Sequence, residues 1–424
     1  MKPDIKKVKI IHPFFTKINQ PVSTTSNLLT WEEKHEQSLL IGYYKFNKEI
    51  KSNSILAFDL DSTLIKVKGN HVHAKDEFDW EFLIKDIKQK IKERLKEDQL
   101  MVIFSNQNGL EPEKMKKNDK RKIQFKNKLN AFTSQLNIPM IILAATKKDQ
   151  YRKPLIGMWN VLCEILNYEP DKNQSSYIGD AAGRKKQGKL ANRKDFADTD
   201  RKFALNLNLD FFTPEEYFLN IQKEEFNLTG FNPKQYIKNI EHIKKVEFKK
   251  KYELEVILLV GLPGSGKSHF YHNITKPLGY ERINMDTLKT SKKCTTKLEE
   301  LLTNAKSAVI DNTNLDIKSR ELYITKAKEH KAKIRVILFN MNIDICYHNN
   351  LFRAYHPTDK DEIRTPVPKM VYDISLKKYQ EPTLSEGIDE IQKWPFIPLY
   401  LDSEIEICNK QRTHYKKYWE LFYF

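Results

Sequence analysis

The chain has 424 residues, 40% of them hydrophobic and 11% aromatic, with a formal net charge of +17 at pH 7. Such content supports folded cores and excludes a disordered polyelectrolyte, and the length accommodates two domains of ordinary size. No stretch approaches the ~18 consecutive apolar residues of a helical membrane span. The four cysteines, Cys163, Cys294, Cys346 and Cys408, are scattered without a C-x-x-C pair, which excludes a disulfide framework and points to a soluble chain in a reducing, intracellular compartment. A lysine-rich excess favours polyanionic partners, nucleic acid before anionic membrane, although a lysine-biased proteome gives the same balance.

Residues 1–50 are mixed and polar, and read as an extended arm with one or two short elements around Trp31 to Tyr44. From 54 onward short apolar runs alternate with longer amphipathic ones. Strands are expected over 55–58, 101–104, 139–144 and 176–178, and helices over 80–99, 113–136 and 156–166. That alternation implies a parallel α/β sheet over a first domain, 51–222, whose ligands sit at the carboxyl ends of the strands. A charge-heavy stretch, 223–253, ends in Lys249-Lys250-Lys251 and reads as a solvated linker, the sharper alternative being a nuclear-import signal. A second α/β unit, 254–424, has strands over 256–260, 307–310 and 333–339. Its aromatic end, 415–424, is too apolar to be free and is expected to dock on a domain.

The strand over 55–58 delivers Asp59-Leu60-Asp61-Ser62-Thr63-Leu64 at its tip. Two acids one residue apart can converge on one phosphate, the first attacking phosphorus and the second protonating the leaving oxygen. Alone such a pair is as often an ordinary acidic loop. Three later stretches at strand ends supply the other parts of a metal-assisted phosphoaspartate site: Ser105-Asn106-Gln107 a hydroxyl for phosphoryl oxygens, Arg152-Lys153-Pro154 a fixed cation, and Gly179-Asp180 a carboxylate for Mg²⁺.

In the second unit, the apolar run 256–260 leads into Gly261-Leu262-Pro263-Gly264-Ser265-Gly266-Lys267-Ser268 and then a helical segment. Strand, glycine loop and helix in that order are what a G-x-x-x-x-G-K-[ST] phosphate loop requires. Its glycines let backbone N–H groups converge on a polyphosphate, Lys267 reaches the β- and γ-phosphates, and the Ser268 hydroxyl faces Mg²⁺. A nucleoside triphosphate ligand follows.

On these residues, with Tyr151-Arg152-Lys153-Pro154, Gly179–Arg184, Asp195-Phe196, Asp200-Arg201 and Thr213-Pro214-Glu215-Glu216, residues 54–220 resemble a haloacid-dehalogenase-type phosphatase. With the phosphate loop behind it, the chain over about 50–400 is similar to the polynucleotide kinase 3′-phosphatase family, in the phosphatase-before-kinase order of its eukaryotic DNA-repair members. The resemblance implies two parallel-sheet α/β domains, a haloacid-dehalogenase-like Rossmannoid phosphatase followed by a P-loop kinase. It implies that Asp59 is the nucleophile and Asp61 the acid, then the base activating water. Ser105, Asn106 and Lys153 would hold the phosphoryl group, and Asp180, Asp59 and the Asp61 carbonyl would hold Mg²⁺. Ser62 and Ser105 stand where glycine and threonine are commoner.

In the kinase half the resemblance makes Asp286, within Asn284-Met285-Asp286-Thr287-Leu288, the base for a DNA 5′-hydroxyl, with Met285 where arginine is frequent. Asp311-Asn312-Thr313-Asn314 would hold Mg²⁺-bound water or the phosphate loop. Arg353, in the lid stretch His348–Arg353, would stabilise charge on the transferring phosphoryl group of ATP, and residues 381–387 would close the nucleoside pocket. The basic run Arg184-Lys185-Lys186, Lys189, Arg193-Lys194 is a candidate contact for the DNA backbone, and His71 and His73 are assigned to a hairpin near the DNA entrance rather than to zinc. The implied protein is a nuclear, monomeric enzyme that acts on 3′-phosphate and 5′-hydroxyl ends of DNA breaks, beside repair scaffold and ligase proteins, with RNA ends as the alternative substrate. The first 50 residues are too few for a phosphothreonine-binding β-sandwich of about 100 residues, so docking by that route is not expected.

Overall fold

The computed structural model describes residues 29–48, 52–69, 74–114, 120–185, 195, 197–240, 246–339, 341–357, 364–402 and 408–424. Its first element is an antiparallel hairpin, β1 (Thr30–Lys34) and β2 (Leu39–Tyr44). Then come β3 (Ser54–Phe58), a small hairpin of β4 (Ile65–Lys66) and β5 (Glu81–Phe82), α1 (Ile87–Arg94), β6 (Gln99–Asn106), α2 (Arg121–Leu136) and β7 (Met140–Ala145). The first unit is completed by α3 (Gly157–Leu166), β8 (Ser176–Ile178), α4 (Thr199–Leu207), β9 (Asp210–Phe212) and α5 (Pro214–Leu219).

Among the described residues these strands form one seven-stranded sheet in the order β1-β2-β7-β6-β3-β8-β9. From β7 to β9 it is parallel; β2 adds to β7 antiparallel. Side chains alternate between its faces: Ile55, Ala57 and Val102 enter one apolar cluster, and Leu56, Phe58 and Ile103 the other. The hairpin supplies the short elements expected around Trp31 to Tyr44 and joins them to the sheet of the first domain. Leu39 and Ile41 bury on one face and Leu40 and Tyr44 on the other, so β2 is an interior strand of the first domain. Outside it, β1 carries Glu32, Glu33 and Lys34, a charged edge that resists further strand addition.

Two helices expected from the apolar spacing are shorter than the pattern. Over 80–99, Trp80 and Phe82 pack edge to face on and beside the β4–β5 hairpin, and only Ile87–Arg94 is helical. The lysine-rich helix begins at Arg121. His71, His73, Lys186, Lys189, Arg193 and Lys194 lie outside the described residues.

After α6 (Pro233–Ile240) the second unit runs β10 (Glu255–Val260), α7 (Lys267–Phe270), β11 (Glu281–Ile283), α8 (Met285–Leu288), α9 (Ser291–Thr303), β12 (Ala308–Ile310), α10 (Ile317–Glu329) and β13 (Lys333–Phe339). It ends with α11 (Ile343–Tyr355), α12 (Lys369–Lys378), β14 (Glu390–Trp394) and α13 (Asn409–Trp419). The strand order β11-β12-β10-β13-β14 is parallel throughout. Fully buried Arg320 on α10 donates to both carboxylate oxygens of Glu386 at 2.7 Å and to the Gln380 carbonyl at 3.0 Å. The stretch 380–387 is therefore fastened to α10.

The expected linker is partly folded. Phe231 and Tyr236 pack against Trp419, and the Tyr236 hydroxyl donates to the Phe396 carbonyl at 2.7 Å. The aromatic end docks as its composition requires, and it touches both units. Trp419, Leu421 and Tyr423 share one apolar cluster with Trp159 and Phe203 of the first unit and with Leu351 and Phe352 of α11.

Candidate active sites

β3 and β8 stop side by side, and the loops beyond them build the first site. Asp59 follows β3 directly, its N–H donating to the Ile178 carbonyl at 2.8 Å. The Leu60 carbonyl accepts from the N–H groups of Leu64 and Ile65 at 2.9 and 3.1 Å, while Leu60 and Leu64 themselves are fully buried. That knot forces Ser62 to φ 62°, a left-handed conformation that glycine adopts without a Cβ penalty.

Lys153 reaches this loop from the segment after β7, two strands along the sheet. Its ammonium is buried and donates to Asp59 Oδ1 at 2.6 Å, Asp200 Oδ1 at 2.7 Å and the Tyr177 hydroxyl at 2.8 Å. The Asn106 amide clasps the Lys153 backbone, accepting from its N–H at 2.9 Å and donating to its carbonyl at 3.1 Å. Asn106, expected with Ser105 and Lys153 among the phosphoryl ligands, thereby positions Lys153 and keeps a second amide N–H. Ser105 Oγ is buried and accepts from Gln107 Nε2 at 2.8 Å, and the same nitrogen donates to Asp61 Oδ2 at 2.7 Å. Asp61, with its side chain 54% exposed, faces outward beside Lys128 at 3.4 Å.

Carboxylate oxygens of Asp59, Asp180 and Asp200 lie within 4.8 Å of one another. Burial raises the Asp180 carboxyl well above the usual range, and repulsion from Asp59 and Asp200 adds to the rise. Burial raises Asp59 likewise, with the Lys153 charge opposing it. Burial alone would lower the Lys153 ammonium, but Asp200 and Asp59 outweigh it and leave the group raised. An all-oxygen donor set with surplus negative charge suits a hard divalent cation such as Mg²⁺. Asp200, Tyr177 and Gln107 went unassigned in the sequence. Asp200 was visible only as part of a motif, and Tyr177 reads as strand core.

Arg184 does not face a ligand. It is 3% exposed, donates to Asp195 at 2.9 and 3.0 Å and to Glu215 Oε2 at 2.7 Å, and so belongs to the fold rather than to a DNA contact. Lys185 is exposed and pairs with Glu225 at 2.9 Å. Arg184→Ala leaves two buried carboxylates uncompensated. It should lower unfolding free energy by about 3 kcal/mol in urea melts, while leaving the salt dependence of nucleic-acid binding by the folded fraction unchanged.

The second site is the turn from β10 into α7. Gly264 and Gly266 have φ 79° and 103°, and a Cβ on Gly264 would lie 2.2 Å from the Cys346 carbonyl of α11. No other residue fits there. Lys267 Nζ is buried and donates to the carbonyls of Gly261 and Leu262 at 2.9 and 2.8 Å. Burial lowers its ammonium to about 8, with Asp311 pulling upward and Arg353 downward. Buried Asp311 at the end of β12 accepts from Arg282 at 2.9 and 2.5 Å, and Arg282 donates to Ser268 Oγ at 3.4 Å. Arg282 carried no recognisable signal in the sequence, its partners lying 14 and 29 residues away.

Asn284 caps α8 through Thr287 N–H at 3.2 Å and donates to the Asp311 carbonyl at 2.6 Å. This sets Asp286, exposed on the first turn of α8, near enough to Lys267 to act on its charge. A cavity of about 320 Å³ opens beside it, lined by Met285, Asn312, Leu322, Tyr323, Ile374 and Lys378 among others. Residues 381–387 are held at α10 through Glu386.

Fold and sites together define a haloacid-dehalogenase-like phosphatase joined to a P-loop kinase. Residues 54–218 match the family model described as polynucleotide kinase 3 phosphatase, and 256–382 match an AAA domain model. A bifunctional polynucleotide phosphatase/kinase of Schizosaccharomyces pombe is 36% identical over 380 residues, covering 89% of this chain and 89% of its own. The chain belongs to the bifunctional polynucleotide phosphatase/kinase family. A putative member from Acanthamoeba polyphaga mimivirus is 34% identical over 391 residues, 86% of this chain and 89% of its own. The polynucleotide 3′-phosphatase of Saccharomyces cerevisiae aligns with 39% of this chain and 87% of its own, at 30% identity.

Proposed function

We propose that this chain prepares broken DNA ends for ligation, removing 3′-phosphates in its first domain and phosphorylating 5′-hydroxyls with ATP in its second. The observation that carries the reading is the completeness of both sites in one chain: Asp59 held 2.6 Å from Lys153 with Asp61 outward beside it, and Lys267 in a glycine loop with Asp286 exposed on the first turn of α8.

Asp59 attacks phosphorus, the bond to the 3′ oxygen breaks, and Asp61 gives that oxygen its proton. Asp61 then takes a proton from water, which releases phosphate from the aspartyl group. Ser105 and Lys153 hold the phosphoryl oxygens. Outward exposure suits Asp61, because the leaving group is a polymer end that must approach from solvent. Asp59, Asp180 and the Asp61 carbonyl would hold Mg²⁺, which when bound offsets the carboxylate repulsion and polarises the phosphoryl oxygens. Asp200 anchors Lys153.

In the second domain the amides of residues 261–266 and Lys267 cradle the ATP phosphates, Ser268 would hold Mg²⁺, and Arg353 faces the charge that spreads over the transferring group. Asp286 takes the proton of the 5′-hydroxyl as the new P–O bond forms and ADP leaves. The acceptor strand enters over the cavity beside Met285, which offers it apolar contact. A +17 charge supplies the non-specific attraction to phosphodiester backbones. DNA as substrate places the work in the nucleus, beside repair scaffold and ligase proteins, with the enzyme acting as a monomer. Among the described residues no helix is long and apolar enough to cross a membrane.

Matched DNA and RNA oligonucleotides bearing a 5′-hydroxyl or a 3′-phosphate test the substrate class. DNA ends are expected to turn over faster at both sites. Equal or faster RNA turnover overturns the DNA assignment.

A further inference from the structure

We propose that the segment 419–424 is a shared positioning element, fixing the phosphate loop at one end and the Lys153–Pro154 loop at the other. At the kinase end, the Trp419 indole N–H donates to Asn349 Oδ1 at 2.8 Å, and Asn349 Nδ2 donates to the Gly264 carbonyl at 2.9 Å. An indole N–H only donates and a carbonyl only accepts, so the two partners fix the amide's orientation. His348 Nε2 reinforces the link from the Trp419 carbonyl at 2.8 Å. At the phosphatase end, Asn206 accepts from Phe422 N–H at 2.7 Å and donates to the Phe422 carbonyl at 3.0 Å and the Pro154 carbonyl at 2.8 Å.

Hydrogen bonds thus run from Gly264 through Asn349 to Trp419, and from Phe422 through Asn206 to the residue after Lys153. Each terminal contact is a backbone carbonyl of a loop whose geometry the chemistry needs. Gly264 has no slack, since a single added carbon would strike α11. Trp419, Leu421, Phe422 and Tyr423 are 3–5% exposed, so most of the span between the two ends is buried, with Glu420 partly exposed. A buried, hydrogen-bonded strut of this kind holds loops within the sub-ångström tolerance that in-line phosphoryl transfer demands.

This inference rests on the kinase and phosphatase reading above. Trp419→Phe keeps a ring in place and removes the indole N–H. It is expected to raise the KM for ATP about tenfold while phosphatase kcat/KM stays within twofold. Asn206→Leu should do the converse, lowering phosphatase kcat/KM about tenfold and sparing the kinase. Titration with ADP should change the tryptophan fluorescence of the wild type, and the change should shrink in Trp419→Phe to what Trp394, packed on Phe270 of α7, contributes. If Trp419→Phe fails to fold, Asn349→Leu breaks the link from the loop side and should raise the KM for ATP equally. A KM for ATP within twofold of wild type in the folded Trp419 or Asn349 variant, or an unchanged ADP response, overturns the positioning role. Lys267→Ala serves as control: if it too left 5′-phosphorylation intact, the phosphate-loop reading would have failed, and not the strut.

Discussion

Asp59→Asn is expected to abolish 3′-phosphate release and to leave 5′-phosphorylation at the wild-type rate. The substitution keeps volume and one oxygen, so Lys153 retains Asp200 at 2.7 Å and the Tyr177 hydroxyl at 2.8 Å, and the loop keeps its shape. What is lost is the anionic oxygen that attacks phosphorus, and loss of a nucleophile costs on the order of 10⁴-fold or more in kcat. Because Asp59 is buried among like charges, removing one of them should not lower stability through electrostatics. Release of inorganic phosphate from a 3′-phosphorylated oligonucleotide reads the result. Residual activity above about 1% of wild type would mean that another group forms the bond to phosphorus.

Lys267→Ala is expected to reduce 5′-phosphorylation on the order of 10³-fold, since one preorganised cation at the phosphates is withdrawn. The phosphatase should be untouched. Stability should hold or rise. The folded-state pKa of Lys267 is about 8, below its ordinary value, because burial disfavours the ammonium. The charged form therefore opposes folding at pH below about 8, and that cost fades as pH rises toward the ordinary lysine range. A neutral alanine escapes it. A melting temperature equal to or above wild type at pH 7, with kinase activity lost, is the expected pair of observations. A large fall in melting temperature would mean that the bonds from Lys267 to the Gly261 and Leu262 carbonyls support the loop more than the buried charge strains it.

Much of this arrangement was legible because parallel α/β sheets gather chemistry at the carboxyl ends of strands, and each end is marked locally. The strands 176–178 and 333–339 fall where apolar runs meet polar stops, and Asp59, Asp180, Lys267 and Asp311 each follow such a run within a few residues. Long-range partnership was not legible. Short elements around 31–44 were legible, but their place in the sheet was not, because the partner of β2, β7, lies a hundred residues on. Arg184 had the right chemistry for phosphate, yet Asp195 and Glu215 claim it across 11 and 31 residues, and the grip of Asn106 on Lys153 spans 47. Tyr177 and Asp200 escaped for the opposite reason: a phenol inside a strand and an acid at a helix start have ordinary structural roles until Lys153 is seen between them.

The claim that one chain carries two independent chemistries for one break is tested most directly on a nicked DNA duplex with a 3′-phosphate and a 5′-hydroxyl at the nick. Both ends are followed in the same reaction with ATP, for the wild type, Asp59→Asn and Lys267→Ala. The expected result is conversion of both ends by the wild type, of the 5′ end alone by Asp59→Asn, and of the 3′ end alone by Lys267→Ala. Loss of both activities in either variant, or a wild type that converts only one end, would contradict it.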